Sequence, residues 1–208
     1  MNNRPLSAGY LQDHKILDIL IPMHSPCENP VVLDCTYNTG KMWKKCKYKP
    51  TITLDIDPKY NTIIVGSFKK MPLENRCIDI VVFDPPFLTS DGDSKYSSKV
   101  YKECYGITNN DVDRDGLNIS KIFIPFLIEA KRIIKKRGII IAKIGDMIHS
   151  GRYQWQHCDL INEAIKLGMN VDDMFIKIRN NVMNSSKWNN ILHLRKNHSF
   201  FIVIKNHG

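Results

Sequence analysis

The stretch of this sequence best equipped for chemistry is Asp84-Pro85-Pro86-Phe87, which follows the apolar run 78–83. Prolines have no N–H to donate, so the turn presents carbonyl oxygens. The Asp84 carboxylate adds a strong acceptor, and Phe87 adds a flat stacking surface. Acceptors beside a ring suit a planar group with an exocyclic NH2, such as adenine or cytosine. The plain alternative is a proline-rich turn that closes a strand. Two other segments stand in comparable places. Asp34-Cys35-Thr36-Tyr37-Asn38-Thr39-Gly40 follows 31–33. Its small, turn-forming residues and final glycine let backbone N–H groups approach a ligand. It has one glycine where a dinucleotide fingerprint has three. Asp55-Ile56-Asp57-Pro58 follows 51–54. An acid at such a strand end can accept hydrogen bonds from both ribose hydroxyls. Asp57 in turn can cap a helix that begins at Pro58.

These segments need a scaffold that brings them together. The apolar pattern predicts strands over 31–34, 51–55, 62–65, 78–83, 138–144, 174–179 and 199–205. Helical spacing predicts helices over 11–23, 119–136 and 159–167. Continuous apolar strands alternating with helices predict an α/β domain with a mostly parallel sheet covered on both faces. Ligands bind such sheets beyond the carboxyl ends of the strands, where all three segments fall. The last two strands have no strong helix between them. An antiparallel pair at the sheet edge is expected, joined by the basic loop 180–198.

Composition bounds the rest. At 208 residues, 43% hydrophobic and 25% charged, the chain is expected to form one globular domain, 1–208, and not a disordered segment. No apolar run reaches the ~18 residues of a membrane span, and 1–10 lacks a signal-peptide core. A cytoplasmic protein without a membrane role is the expectation. Six cysteines without a CxxC pair fit a reducing compartment and no metal site. The formal charge of +9 is locally concentrated. No acid follows Asp173, whereas Lys177, Arg179, Lys187, Arg195, Lys196 and Lys205 do. Such patches attract polyanions, nucleic acid first.

The succession VVLDCTYNTG, TLDIDP and GSFKKMPLENRCIDIVVFDPPF resembles the class I S-adenosylmethionine-dependent methyltransferases. DPPF is similar to the (D/N/S)PP(Y/F/W) signature of the amino-group methyltransferases that act on nucleic-acid bases, and its Asp form looks more like the adenine-N6 enzymes. The resemblance covers 30–145, and more loosely 141–205. It implies a Rossmann-like fold with a mostly parallel seven-stranded sheet and S-adenosyl-L-methionine as cofactor. The implied activity is methylation of a base amino group, most simply adenine N6 in DNA. Methylation of an RNA base is the alternative within the class, and a degenerate fold that binds nucleic acid without catalysis is another. Carried over by position, Asp34, Thr36, Tyr37 and Gly40 form the cofactor loop, and Asp55 with Ile56 falls on the ribose. Where the family often has an acid after the glycine of the next strand, Gly66 is followed by Ser67 and Phe68, which take that place. Asp84, Pro85, Pro86 and Phe87 form the catalytic turn, Asp84 also bordering the cofactor.

Substrate contacts are expected from Lys143, Tyr101, Arg195 and His198. Lys143 and Asp146 stand at the end of the fifth strand. Tyr101 lies among lysines in the 89–118 segment, an interleaving that suits single-stranded or flipped nucleic acid. Tyr153, Trp155 and His157 alternate in GRYQWQHC, able either to stack on bases or to cover the core. Only 89–118 and 180–198 are free for target recognition. Specificity is therefore expected to be short, or to come from a partner or a second copy of the chain.

Overall fold

The computed structural model describes residues 5–85, 112–113, 116–117, 119–149, 152–179, 193–194 and 196–207. Phe87, Pro86, Tyr101 and Arg195 lie outside the described residues.

The chain first forms β1 (Ala8–Gly9) and α1 (Asp13–His24). Next come β2 (Val32–Asp34), β3 (Ile52–Asp55), β4 (Ile64–Val65) and β5 (Ile78–Phe83). A short ladder of β6 (Val112–Asp113) with β7 (Gly116–Leu117) precedes α2 (Ile119–Ile133) and β8 (Ile134–Ile144). The hairpin β9 (Met147–His149) and β10 (Arg152–Gln154) leads to α3 (Gln156–Lys166). The long strands β11 (Asn170–Ile178) and β12 (His198–Lys205) follow.

Among the described residues, eight strands form one sheet in the order β1-β11-β12-β8-β5-β2-β3-β4. Strands β2, β3, β4, β5 and β8 run parallel, and β12 is antiparallel to both β8 and β11. The expected antiparallel pair is present, in a sheet of eight strands where seven were expected. The addition is β1, two residues of no apolar pattern that pair with Ile176 and Lys177 of β11. The Ile176 N–H donates to the Ser7 carbonyl at 2.8 Å.

Alternation along the strands builds a core on each face. Leu33, Val81, Phe83, Ile140, Ala142, Phe200 and Ile202 point to the face covered by α2 and α3. Val32, Ile80, Val82, Ile139, Ile141, Phe201 and Val203 point to the face covered by α1, through Ile16, Leu17, Leu20 and Ile21. Phe83 stacks on Phe126 with centroids 3.6 Å apart, which fixes α2 beside the end of β5. Such a pair adds about 0.5–1.5 kcal/mol beyond its area.

The α2–β8 junction differs from expectation. The helix stops at Ile133 and β8 begins at Ile134, before Gly138. The N–H groups of Arg76 and Cys77 take the carbonyls of Arg132 and Ile133 at 3.0 and 2.8 Å, so the final turn is capped from outside. Ile134 already pairs with Ile78, and the register shifts before Ile80 meets Ile139. A side chain on Gly138 would meet Ile134 Cγ1 at 2.6 Å and the Asp79 carbonyl at 2.9 Å. Glycine is required there by close approach.

Candidate active site

After β2 the chain moves to β3 and β4 on one side, and β5 and β8 lie on the other. The order reverses between β2 and β5, and a crevice opens beyond the carboxyl ends of two such strands. Asp34 is the last residue of β2, and Asp84 follows β5 directly. Both line one polar cleft of about 150 Å³ with Thr36, Tyr37, Asn38, Thr39, Lys41 and Met42.

The loop after β2 is held by its own backbone. Asp34 Oδ1 accepts from the Thr36 N–H at 2.9 Å, and Asp34 Oδ2 accepts from Trp43 Nε1 at 2.5 Å. The Tyr37 N–H donates to the Leu54 carbonyl at 3.1 Å. Gly40 has φ +62°, and the Tyr37 ring lies where its Cβ would be. The expected glycine thus serves a left-handed turn packed under a tyrosine. Thr36 Oγ1 accepts from the Asp84 N–H at 2.8 Å, which joins the loop after β2 to the turn after β5.

Asp84 is also held from behind. Lys143 Nζ, from β8, donates to Asp84 Oδ2 at 2.9 Å and lies 3.2 Å from Asp13 Oδ2 at the start of α1. Lys177 of β11 pairs with Asp13 Oδ1. Two lysines and two aspartates from α1, β8, β11 and the β5 turn therefore form one cluster. The Lys143 side chain is 12% exposed. Its ammonium, expected to contact substrate, partners two carboxylates. Asp13 carried no sequence signal, since an isolated charge near a helix start looks like a solvated one, and Lys177, expected in a basic patch for polyanions, instead pairs with it. Trp43, whose ring N–H is spent on Asp34, carried no signal either.

Burial pushes the Asp34 carboxyl up to about 7, against the opposing hydrogen bonds of Trp43 and Thr36, and the charge of Asp84 adds to the rise. Burial also raises Asp84, with Lys143 only partly offsetting it. Burial would lower Lys143, but Asp84 and Asp13 outweigh it and hold the ammonium above its ordinary value.

Asp55 stands behind the cleft. It is buried, its Oδ2 accepts from the Asn38 N–H at 2.7 Å, and its Oδ1 accepts from the Asp57 N–H at 3.0 Å. The Ile56 N–H adds a third backbone hydrogen bond, so of the about four acceptor sites of a carboxylate one is left for a hydroxyl. Ile56 is 37% exposed beside it. Asp57 caps the short 3-10 turn Pro58–Tyr60 by accepting from the Lys59 N–H, as expected. Phe68 belongs to the core. It packs edge-on against Phe83 and Phe126 at centroid distances of 5.2 and 6.3 Å, outside the cleft lining, because the α2 face needs an apolar wall there. Ser67 Oγ accepts from the Lys69 N–H at 3.2 Å, closing a turn. His198 packs edge-on against Phe200 at the start of β12, at the same sheet end as Asp84.

No family model and no curated protein matches the chain. Solved structures do. The partner of the Trm112 methyltransferase activator from Haloferax volcanii matches with a TM-score of 0.52 at 12% identity, over 96% of this chain and 100% of that one. A SAM-dependent methyltransferase from Methanosarcina mazei matches at 0.50 and 12% identity, over 90% and 97%. A Thermus thermophilus protein with a provisional assignment as a DNA modification methylase, crystallised with S-adenosyl-L-methionine, matches at 0.45 and 15% identity over 69% of this chain. This chain spans about half the length of that one, 54%. The fold is the Rossmann-like fold of SAM-dependent methyltransferases.

Proposed function

We propose that this protein methylates an exocyclic amino group of a nucleic-acid base, with adenine N6 in DNA as the leading target and S-adenosyl-L-methionine as methyl donor. The observation that carries the reading is one cleft at the strand-order reversal, lined by Asp34 and Asp84 and tied across by Thr36. The buried Asp34 carboxyl, raised by burial, fits a cationic ligand, which favours its ionised form. Hydroxyls and an amide at Thr36, Thr39 and Asn38 fit the polar parts of such a molecule, and Asp55 behind them fits a ribose. The fold shared with the Methanosarcina mazei enzyme supports the same donor class. When bound, the donor supplies a methyl group on a sulfonium that departs as a neutral thioether.

The chain's own residues prepare the amine. A base amino group is a poor nucleophile because its lone pair is delocalised into the ring. Asp84 Oδ2 is occupied by Lys143, which leaves Oδ1, with the Pro85 carbonyl, to accept the two amino hydrogens. Those acceptors localise the nitrogen lone pair. After transfer the nitrogen is positively charged and sheds one proton, and Asp84, raised by burial, is a better proton acceptor than an ordinary carboxylate. Phe87 supplies the stacking face for a flipped base, by its place in DPPF. Target recognition rests on 89–118 and 180–198, or on a partner or second copy.

Tritiated S-adenosylmethionine offered to DNA, RNA and protein pools, followed by nucleoside mass spectrometry, tests the proposal. Label in N6-methyladenine of DNA is expected. Label confined to RNA moves the enzyme to the RNA-base class, and label confined to protein overturns the reading.

A further inference from the structure

Beyond the cleft, the same sheet end carries a run of rings that the methyl-transfer chemistry does not use. Tyr153, at the end of the β9–β10 hairpin, stacks on Trp155 with centroids 3.9 Å apart and planes 24° apart. His157 meets Trp155 edge-on and stacks on Phe200 at 4.1 Å. Asp146, buried just after β8, fixes two of these rings: its Oδ1 lies 2.7 Å from His157 Nδ1, and its Oδ2 accepts from the Tyr153 hydroxyl at 3.3 Å. Lys196 Nζ lies over the Tyr153 ring, 5.8 Å from the Trp155 centroid.

Phe200 anchors the run in the core, but its outer rings are not core. Although Tyr153 covers one face, Trp155 remains 54% exposed and belongs to neither apolar cluster. An oriented, half-exposed indole beside an ammonium matches a nucleotide, with a flat base for the ring and a phosphate for the cation. Its place agrees. Phe200 pairs with Ile144 and Phe201 with Lys143, so the rings leave the sheet at the end where Lys143 holds Asp84. Strands β5 and β12 are two strand spacings apart, roughly 10 Å. Exposed Arg152 lies on the hairpin itself, and no acid follows Asp173 in sequence.

We propose that Trp155, backed by Tyr153 and Lys196, is the stacking site for an unpaired nucleotide of the substrate strand, next to the base presented to Asp84. The assignment rests on the nucleic-acid reading above. It makes the preferred substrate single-stranded or locally opened nucleic acid.

The test uses the full chain and fluorescent single-stranded oligonucleotides of one sequence, as DNA and as RNA. Trp155→Ala should weaken binding about ten- to a hundred-fold, the usual loss for one base stack. Trp155→Phe should restore most of it, and binding of S-adenosylhomocysteine should not change in either variant. Lys196→Ala should lower the slope of log affinity against log salt by about one. An abasic nucleotide moved along the oligonucleotide should reproduce the Trp155→Ala loss at one position in the wild type, and cost the variant nothing more there. Equal loss on DNA and RNA fits stacking alone. Wild-type affinity in Trp155→Ala overturns this site and leaves the methyltransferase reading intact. Failure of the wild type to bind any DNA or RNA overturns both.

Discussion

Two carboxylates end neighbouring strands of one sheet, yet they are kept in opposite ways. Among the described residues, Asp34 has hydrogen-bond donors and no cation among its contacts, Trp43 on one oxygen and the Thr36 amide on the other. Its burial therefore shows as a carboxyl titrating at about 7. Asp84 has an ammonium at 2.9 Å, itself anchored by Asp13. The comparison teaches that burial alone does not define such a group. A buried acid held by neutral donors is poised to meet a cation that arrives with a ligand. A half-buried acid that already has its cation is poised to accept hydrogen bonds from a neutral partner. In the proposed reaction, donor and acceptor substrates call for those two states, side by side.

The comparison breaks most sharply at Asp84. Asp84→Ala should leave S-adenosylhomocysteine binding near wild type by calorimetry and lower methyl transfer on the order of 100–1000-fold, as loss of a preorganised contact does. Wild-type turnover in that variant would remove the turn from the active site.

Lys143→Met should come next. It takes the ammonium from Asp84 and leaves burial opposed by the charge of Lys177, so Asp84 rises further and stays protonated to higher pH. The acidic limb of kcat should move up in pH, costing roughly tenfold in rate at a fixed pH on that limb for each unit of movement. An unmoved limb with lowered kcat would mean that Lys143 only supports the fold.

The cation test on Asp34 is milder. Below about 7 the carboxyl is protonated and attracts a sulfonium weakly, and above it the carboxylate attracts it fully. The affinity ratio of S-adenosylmethionine to the uncharged thioether S-adenosylhomocysteine should therefore rise between pH 6 and 8 and then level. A flat ratio would place the cation elsewhere. The same group sets a stability trend in the absence of ligand. Its folded value is above the unfolded 3.8, so the folded state binds more protons between about 4 and 7. Stability from this group falls as pH rises through that window and is constant beyond it. Thermal melts across the window check the sign.

Trp43→Phe should have the smallest effect. The indole hydrogen bond lowers Asp34, so its loss should carry the midpoint of both pH curves above 7, with little change at pH 9.

Much of this arrangement was legible in the sequence because strand ends are punctuated. The apolar run 78–83 ends in a charge and two prolines, and the β2 and β3 runs end in acids followed by turn residues. The strand β5 has the expected bounds, and Gly168, at φ +74°, follows the helix α3 as expected. What stayed hidden comes from far along the chain. Asp13 meets Lys143 and Lys177 across 130 and 164 residues. Such pairing depends on how β8 and β11 are placed relative to α1, which no local pattern encodes. Phe68 was hidden differently. Its position after Gly66 and Ser67 fitted a ligand contact, but the space between Phe83 and Phe126 claimed the ring first.

Strand β12 carries one more consequence. It lies between β8 and β11, yet follows both in sequence. During synthesis those two strands emerge before the one that joins them, and each waits with an open hydrogen-bonding edge. Lys143 on β8 and Lys177 on β11 cannot be brought to the same Asp13 until β12 has inserted. The reactive end of the molecule is thus assembled late, and the interval before insertion exposes two apolar edges able to pair with other chains.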